Sequence, residues 1–211
     1  MKYLGVNLPQ DLCQLKSINY DPLISRIKSD IVRWNLVPFT SLVSRVEAIK
    51  MNVLPRLLYL FQTLPVKVTN KDFIEWDRFI SRYIWQGQRP QIRYRTLQLP
   101  RVKGGLALPC LKSYYQAAQL NTMWTLCNPA YRARWKDIEG RTSNIPIQAI
   151  INDKKLRKHL NEELNPWLGL SLNICSEIIS KNSLTEQSRL LRWIAHYSDF
   201  TPNTLDGSFS R

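Results

Sequence analysis

The sequence predicts a mainly α-helical protein: a helical bundle, a short basic β-hairpin or loop, and a second helical region. Three observations carry that expectation. Apolar residues recur at spacings of three and four, first as Leu23, Ile27, Ile31 and Trp34 and again as Phe73, Trp76, Ile80 and Ile84, which is the stripe of an amphipathic helix. Capping and stop residues bracket these stripes, as Thr69 or Asn70 before the second and Gly87 after it. Strand-like alternation is confined to two short stretches, around 3–8 and 92–97.

Taken in order, Tyr3 to Leu8 alternate like a short apolar strand with no second strand close by, so an open edge and self-association are expected there, the alternative being that Tyr3, Val6 and Leu8 fold back onto the helices. Asn19 or Asp21 is placed to cap the first helix, with Pro22 in its first turn. Pro38 ends the connection, and Thr40 or Ser41 caps a second helix that buries Leu42, Val46, Ile49 and Val53. Pro55 should interrupt it, leaving Arg56 to Thr63 as a shorter helix at an angle. The third helix buries Phe73, Trp76, Ile80 and Ile84. In the next stretch Ile92, Tyr94 and Thr96 alternate with Arg93, Arg95 and Leu97, so a strand would put both arginines on one face. Pro100 to Gly105 reads as a turn and Leu106 to Leu108 as a returning strand, the alternative being an irregular loop. A long helix from about Leu111 to Leu126 follows, with Tyr115, Ala118, Thr122 and Leu126 as its stripe. Shorter helices are expected around 130–139, 146–161, 171–180 and 185–197, then a polar tail. The resulting segments are 1–19, 20–87, 88–109, 110–200 and 201–211.

Charge is the strongest functional signal. The chain carries 30 basic and 16 acidic residues in 211, a net +14. Residues 1–105 hold 17 basic and 7 acidic residues, net +10. From Arg78 to Lys136, 59 positions, there is no Asp or Glu, where an even spread would put about four or five. That stretch holds Arg78, Arg82, Arg89, Arg93, Arg95, Arg101, Lys103, Lys112, Arg132, Arg134 and Lys136, with Tyr83, Trp85, Tyr94, Tyr114, Tyr115 and Trp124 between them. Cations without internal counter-charge suit a polyanion, and arginines among aromatics suit phosphates and stacked bases. The competing readings are a solvated face with core aromatics, an acidic protein partner, or an anionic membrane surface.

Other chemistry is missing from the sequence. Cys13, Cys110, Cys127 and Cys175 form no C-x-x-C pair, and His159 and His196 are the only histidines, so no zinc-ligand spacing exists. Reduced thiols in a cytosolic or nuclear protein are expected. There is no Asp-Asp pair, no D-x-D and no phosphate-binding glycine loop, which leaves no evident two-metal centre, no cofactor site and no catalytic residue. His196 reads as a core or rim histidine, and Lys154 to His159 as a solvated helix face more than a localisation patch. Nothing resembles a secretory leader, and no apolar run approaches the ~20 residues of a membrane helix.

The order of several segments is specific. "KYLGVNL", "NYDPLISRIKSDIVRWN", "SRVEAIKMNVLPRLLYLFQTLPV", "FIEWDRFISRYIWQG" and "KGGLALPCLKSYYQAAQL" resemble the reverse transcriptase of LINE-type (non-LTR) retrotransposons, in the region that follows the catalytic palm. The resemblance is close over about 1–127 and looser beyond. It implies that Tyr3-Leu4-Gly5 is the turn or strand beside the palm and primer grip. Residues 20–87 then form the thumb, a helical bundle gripping template and primer, and 88–109 the basic connection. It further implies that the second thumb helix lies along the minor groove of the duplex. Arg45, Asn52 and Arg56, spaced seven and four, would share a stripe of that helix. The family's aromatic-Ala-Asp-Asp motif, its fingers, its endonuclease domain and its Cys/His-rich motif do not occur in this sequence.

The expected function is therefore nucleic-acid gripping by a part of such an enzyme, without polymerase activity of its own. The expected partners are RNA, DNA or RNA–DNA hybrid and the remainder of a reverse transcriptase, with no membrane, metal or cofactor. The expected contact residues are Arg45, Asn52, Arg56, Arg78, Arg82, Arg89, Arg93, Arg95, Arg101 and Lys103. The alternatives are a basic helical adaptor for an acidic protein, and a decayed transposon copy without selected function.

Overall fold

The structure, a computed structural model, describes residues 1–37, 41–128, 130–132, 134–136 and 166–181. The expected helices at 146–161 and 185–197, the tail, Lys154 to His159, His196, Pro38 and Thr40 lie outside the described residues. What is described is mainly helical, and the chain divides into two compact units, Met1–Ala118 and Gln119–Arg211.

The first unit opens on a small hairpin. β1 (Lys2–Tyr3) pairs antiparallel with β2 (Val6–Asn7), Tyr3 opposite Val6 and Lys2 opposite Asn7. Leu4 and Gly5 between them have φ of 44° and 84°, the two left-handed residues that a tight two-residue hairpin turn requires. The expected lone strand is thus corrected: the segment folds on itself because Gly5 supplies the turn. Leu4 is an unusual residue for this conformation, and the Tyr59 hydroxyl, donating to the Leu4 carbonyl, helps hold it.

Asn19 fastens this hairpin to the bundle. It is not a cap. α1 (Leu15–Asn35) begins a turn before it, and Asn19 is buried on the same face as Leu15, Ile27 and Ile31. Its amide accepts from Asn7 N–H at 2.8 Å and donates to the Asn7 and Leu15 carbonyls at 2.8 and 2.9 Å. Pro22 accordingly sits inside the helix and not in its first turn. Its exposed position spares the ring a packed neighbour, and the burial of Leu15, Asn19 and Tyr20 upstream outweighs the roughly 3 kcal/mol cost of an interior proline.

α2 (Leu42–Ala48) is capped by Ser41, whose hydroxyl accepts from Ser44 N–H at 3.1 Å. The helix does not break before Pro55. It widens into a π-helical segment, Ile49–Val53, and continues as α3 (Leu54–Thr63). Leu54 N–H reaches the Ile49 carbonyl, a five-residue step. The wider turn leaves Pro55 at the start of α3, where its missing N–H costs least. Val46, Ile49, Val53, Leu57, Leu60 and Phe61 stay buried throughout.

α4 (Asn70–Ile84) follows the sequence expectation closely. Thr69 and Asp72 form a capping box, and Phe73, Trp76, Ile80 and Ile84 are buried. At the far end Gly87 N–H donates to the Arg82 carbonyl and Gln86 N–H to the Tyr83 carbonyl. That is a Schellman ending, with Gln86 (φ 50°) in the left-handed position and Gly87 after it.

These elements meet around five rings. Phe61 packs on Tyr20, Trp76, Phe73 and Tyr115 at centroid distances of 5.3–6.4 Å. Tyr115 comes from α6 (Leu111–Cys127), and its hydroxyl donates to the Val66 carbonyl at 3.0 Å and accepts from Val68 N–H at 3.3 Å. One side chain therefore fills the core and fixes the α3–α4 connection. Lys16–Asp72 (2.7 Å) and the ring pairs Tyr20–Trp76 and Trp34–Tyr83 occur in the same order along both helices, so α1 and α4 run alongside in one direction.

Trimming residues 1–10 is expected to lower the melting temperature, because it removes buried Val6 and strips Asn19 of its two bonds to Asn7. The lost bonds alone are worth about 1–3 kcal/mol if Asn19 is left unsatisfied. Thermal melts of the full and trimmed chains check this; an unchanged melt would mean that the hairpin carries no stability.

α6 (Leu111–Cys127) begins in the first unit and ends in the second. There Met123 and Leu126 pack with Leu168, Leu172 and Cys175 of α7 (Pro166–Lys181). The buried face takes Met123 where the sequence pattern pointed to Thr122. Ser171 donates to Gln119 at 3.1 Å, both buried. Burial and the nearby Cys175 push the Cys127 thiol up to about 11, which keeps it protonated and unreactive.

Candidate nucleic-acid interface

The arginine-rich segment that follows α4 is not a hairpin. Residues Tyr94–Gln98 form a short helix, α5, followed by a 3-10 turn at Arg101–Lys103. The reason is burial at helical spacing. Tyr94 donates its hydroxyl to Asp77 Oδ1 at 3.2 Å, and Leu97, three residues on, is buried. That pair outweighs the Ile92–Tyr94–Thr96 alternation, in which Ile92 is exposed. The turn itself lies where the sequence put it. Lys103 and Gly105 N–H donate to the Pro100 carbonyl, and Gly104 has φ 79°. The chain then returns with Leu106 and Leu108 N–H on the Leu97 carbonyl and Ala107 N–H on Leu99. Residues 97–108 are thus a hydrogen-bonded loop and no ladder forms.

Tyr94 gives this loop its position. Burial pushes the Asp77 carboxyl above its ordinary value, an effect that the Tyr94 hydrogen bond opposes. Burial likewise pushes the Tyr94 hydroxyl up, so it stays a donor. The bond carries Arg93 and Arg95, the exposed neighbours of Tyr94, to the turn of α4 that holds Arg78. Arg82 lies one turn further along α4 and Arg89 just beyond the helix stop, both exposed. Among the described residues, Arg78, Arg82, Arg89, Arg93, Arg95 and Lys103 are in no ion pair. Among the described residues, Arg78, Arg82, Arg93 and Arg95 thus stand exposed and outside any ion pair, on α4 and on the loop that Tyr94 bonds to it.

Arg101 is held differently. Its guanidinium lies 2.6 Å from Glu47, which also takes Lys50 at 3.0 Å. The hydrogen bond from Lys50, with the charges of Lys50 and Arg101, holds the Glu47 carboxyl below its usual range. Arg101 thus ties the basic turn to α2, while Val102 and Lys103 stay exposed at its tip.

The proposed groove-facing stripe does not assemble. Arg45 donates to the Ile84 carbonyl at 2.5 Å and makes further contacts, so it closes the C-terminus of α4, where a cation is favoured by the exposed carbonyls. Asn52 donates to the Ala48 carbonyl of its own helix at 3.1 Å. Arg56 pairs with Asp30 at 2.6 Å, and Asp30 also takes Arg33. The π-helical segment lies between Arg45 and Arg56, so the seven-and-four spacing no longer sums to one face. Arg45→Ala is therefore expected to destabilise the fold by about 1–3 kcal/mol, the cost of removing a charged hydrogen bond, and to leave nucleic-acid affinity nearly unchanged apart from one lost charge. Melts and binding curves of the same preparation check it; the reverse pattern would return Arg45 to the interface.

Nor do the interleaved aromatics all face outward. Tyr83 and Tyr115 are core, Tyr94 is committed to Asp77, and Trp85 is largely covered. Tyr114 and Trp124 are exposed at 41% and 57%. Sequence reasoning missed the structural tasks of Asn19, Tyr94 and Arg45, each of which depends on a partner 12 to 39 positions away. Among the described residues no three His, Cys, Asp or Glu side chains group as metal ligands, and no helix is long and apolar enough to cross a membrane. No family model matches the chain.

Proposed function

We propose that this chain grips nucleic acid as a thumb-like part of a LINE-type reverse transcriptase, contacting the phosphates of a template–primer duplex. It would add no nucleotides by itself. The observation that carries this reading is the group of exposed arginines at 78, 82, 93 and 95, in no ion pair among the described residues, set on α4 and the loop that Tyr94 fastens to it. Arg89 and Lys103 extend it on either side. The resemblance of the order of segments to that enzyme family is the second support, drawn from the sequence. Uncompensated arginines on a rigid scaffold suit a sequence-tolerant grip, since phosphate contacts fix position and carry no base information.

The test is a titration of RNA–DNA hybrid at several salt concentrations, with primer extension assayed on the same material. Binding should be micromolar or weaker and collapse towards physiological salt, with a log–log slope of about −0.9 per phosphate contact on duplex. No extension is expected with magnesium or manganese, because the chain has no Asp-Asp pair or D-x-D to hold the two metals. Salt-insensitive affinity, tighter binding to an acidic protein, or extension by a clean preparation would each overturn the reading.

A further inference from the structure

A second feature lies in the other unit, at the end of α6. Tyr131 and Trp135 stand with ring centroids 6.4 Å apart, 44% and 37% exposed. Arg132 and Arg134 alternate with them, both exposed and, among the described residues, in no ion pair. Residues 119–136 contain no acidic residue.

The backbone that carries the rings is pinned. Lys136 Nζ donates to the Asn128 carbonyl at 2.7 Å and the Tyr131 carbonyl at 3.2 Å. Asn128 Oδ1 accepts from Ala130 N–H at 3.0 Å, and the Asn128 carbonyl from Tyr131 N–H at 3.3 Å. The lysine also sits at the carbonyl end of α6, where a cation is favoured. Lys136 is therefore a structural staple, which leaves the two arginines as the free charges of the turn. Presenting two large rings half-exposed on a fixed turn wastes apolar burial unless something covers them.

We propose that Tyr131 and Trp135 form a stacking platform for unpaired bases of single-stranded nucleic acid, with Arg132 and Arg134 meeting the adjoining phosphates. The occupant is chosen by two properties together. The rings offer faces on which any base stacks, and the two charged side chains between them in sequence, Arg132 and Arg134, are both positive, which fits a strand whose backbone is anionic at every step. A duplex keeps its base faces covered and could use only the arginines. The proposal deepens the nucleic-acid reading but rests on residues separate from the α4 arginines.

The experiment uses the full chain and two probes, a short labelled oligouridylate and a blunt RNA–DNA hybrid. Tyr131→Leu with Trp135→Leu keeps apolar bulk and removes the π faces. This variant is expected to bind the single strand about tenfold or more weakly and the hybrid within about twofold. Tyr131→Phe with Trp135→Phe should retain wild-type affinity for both. Arg132→Gln with Arg134→Gln serves as the second route if the leucine pair melts early, and should weaken the single strand and flatten its salt slope. Equal losses on both probes, no loss on either, no single-strand binding by the wild type, or displacement of the strand by polyglutamate at matched charge would each overturn the proposal. Failure here with hybrid binding still dependent on the α4 arginines leaves the duplex reading standing; loss of that dependence sinks the duplex reading alone.

Discussion

Phe61→Ala should be among the most damaging single substitutions in the chain. Truncating a buried phenylalanine or tryptophan costs about 3–5 kcal/mol, and here the ring is fully buried and touches Tyr20, Phe73, Trp76 and Tyr115 at once. The cavity would open between α1, α3, α4 and α6 together, leaving no single element able to collapse into it. Trp76→Ala should behave alike, while Arg78→Ala and Arg82→Ala, on the exposed face of the same helix, should stay within about ±0.5 kcal/mol. Denaturant melts of the four variants decide. A mild Phe61 variant would mean the ring cluster is not the core, and unstable arginine variants would mean those side chains are structural.

Gly105→Ala should be nearly as severe, for a different reason. A Cβ at this position would lie 2.0 Å from the Leu99 carbonyl oxygen and 2.5 Å from its carbon. Those are backbone atoms held by the Ala107 N–H bond, so no rotamer change relieves the clash. The loop 97–108 must move, at or above the upper end of the roughly 1–3 kcal/mol that overpacking usually costs. Leu97 and Leu108, both buried, move with it. Gly104→Ala meets no atom but is strained by its φ of 79°, so it should cost less. Melting temperatures of the two variants rank them; a Gly105 variant no worse than Gly104 would contradict the close approach.

The helices were legible because they obey local rules. The α4 stripe, its Thr69 cap and its Gly87 stop lie within a short window and need no distant partner. The same locality explains the misses. Apolar alternation over Tyr3 to Leu8 does not disclose the N-terminal hairpin, since its left-handed turn takes Leu4, an unusual residue there, as well as Gly5. Asn19 resembled a cap because its bonds to Asn7 reach across 12 positions. Pro55 resembled a break because a π-helical turn leaves little mark on apolar spacing. In the candidate interface, charge was legible and orientation was not. Arg78 and Arg82 stand exposed as their spacing implied, whereas Arg45 and Arg56 are turned to Ile84 and Asp30 by tertiary contacts.

The most direct measurement of the central proposal is the salt dependence of hybrid binding, compared between the wild-type chain and a variant with Arg78, Arg82, Arg93 and Arg95 changed to Gln. The variant should melt like the wild type, bind much more weakly at low salt, and show a shallower log–log slope, by about 0.9 for each phosphate contact removed. A variant that stays folded and keeps the wild-type affinity and slope would contradict the claim that these arginines grip nucleic acid.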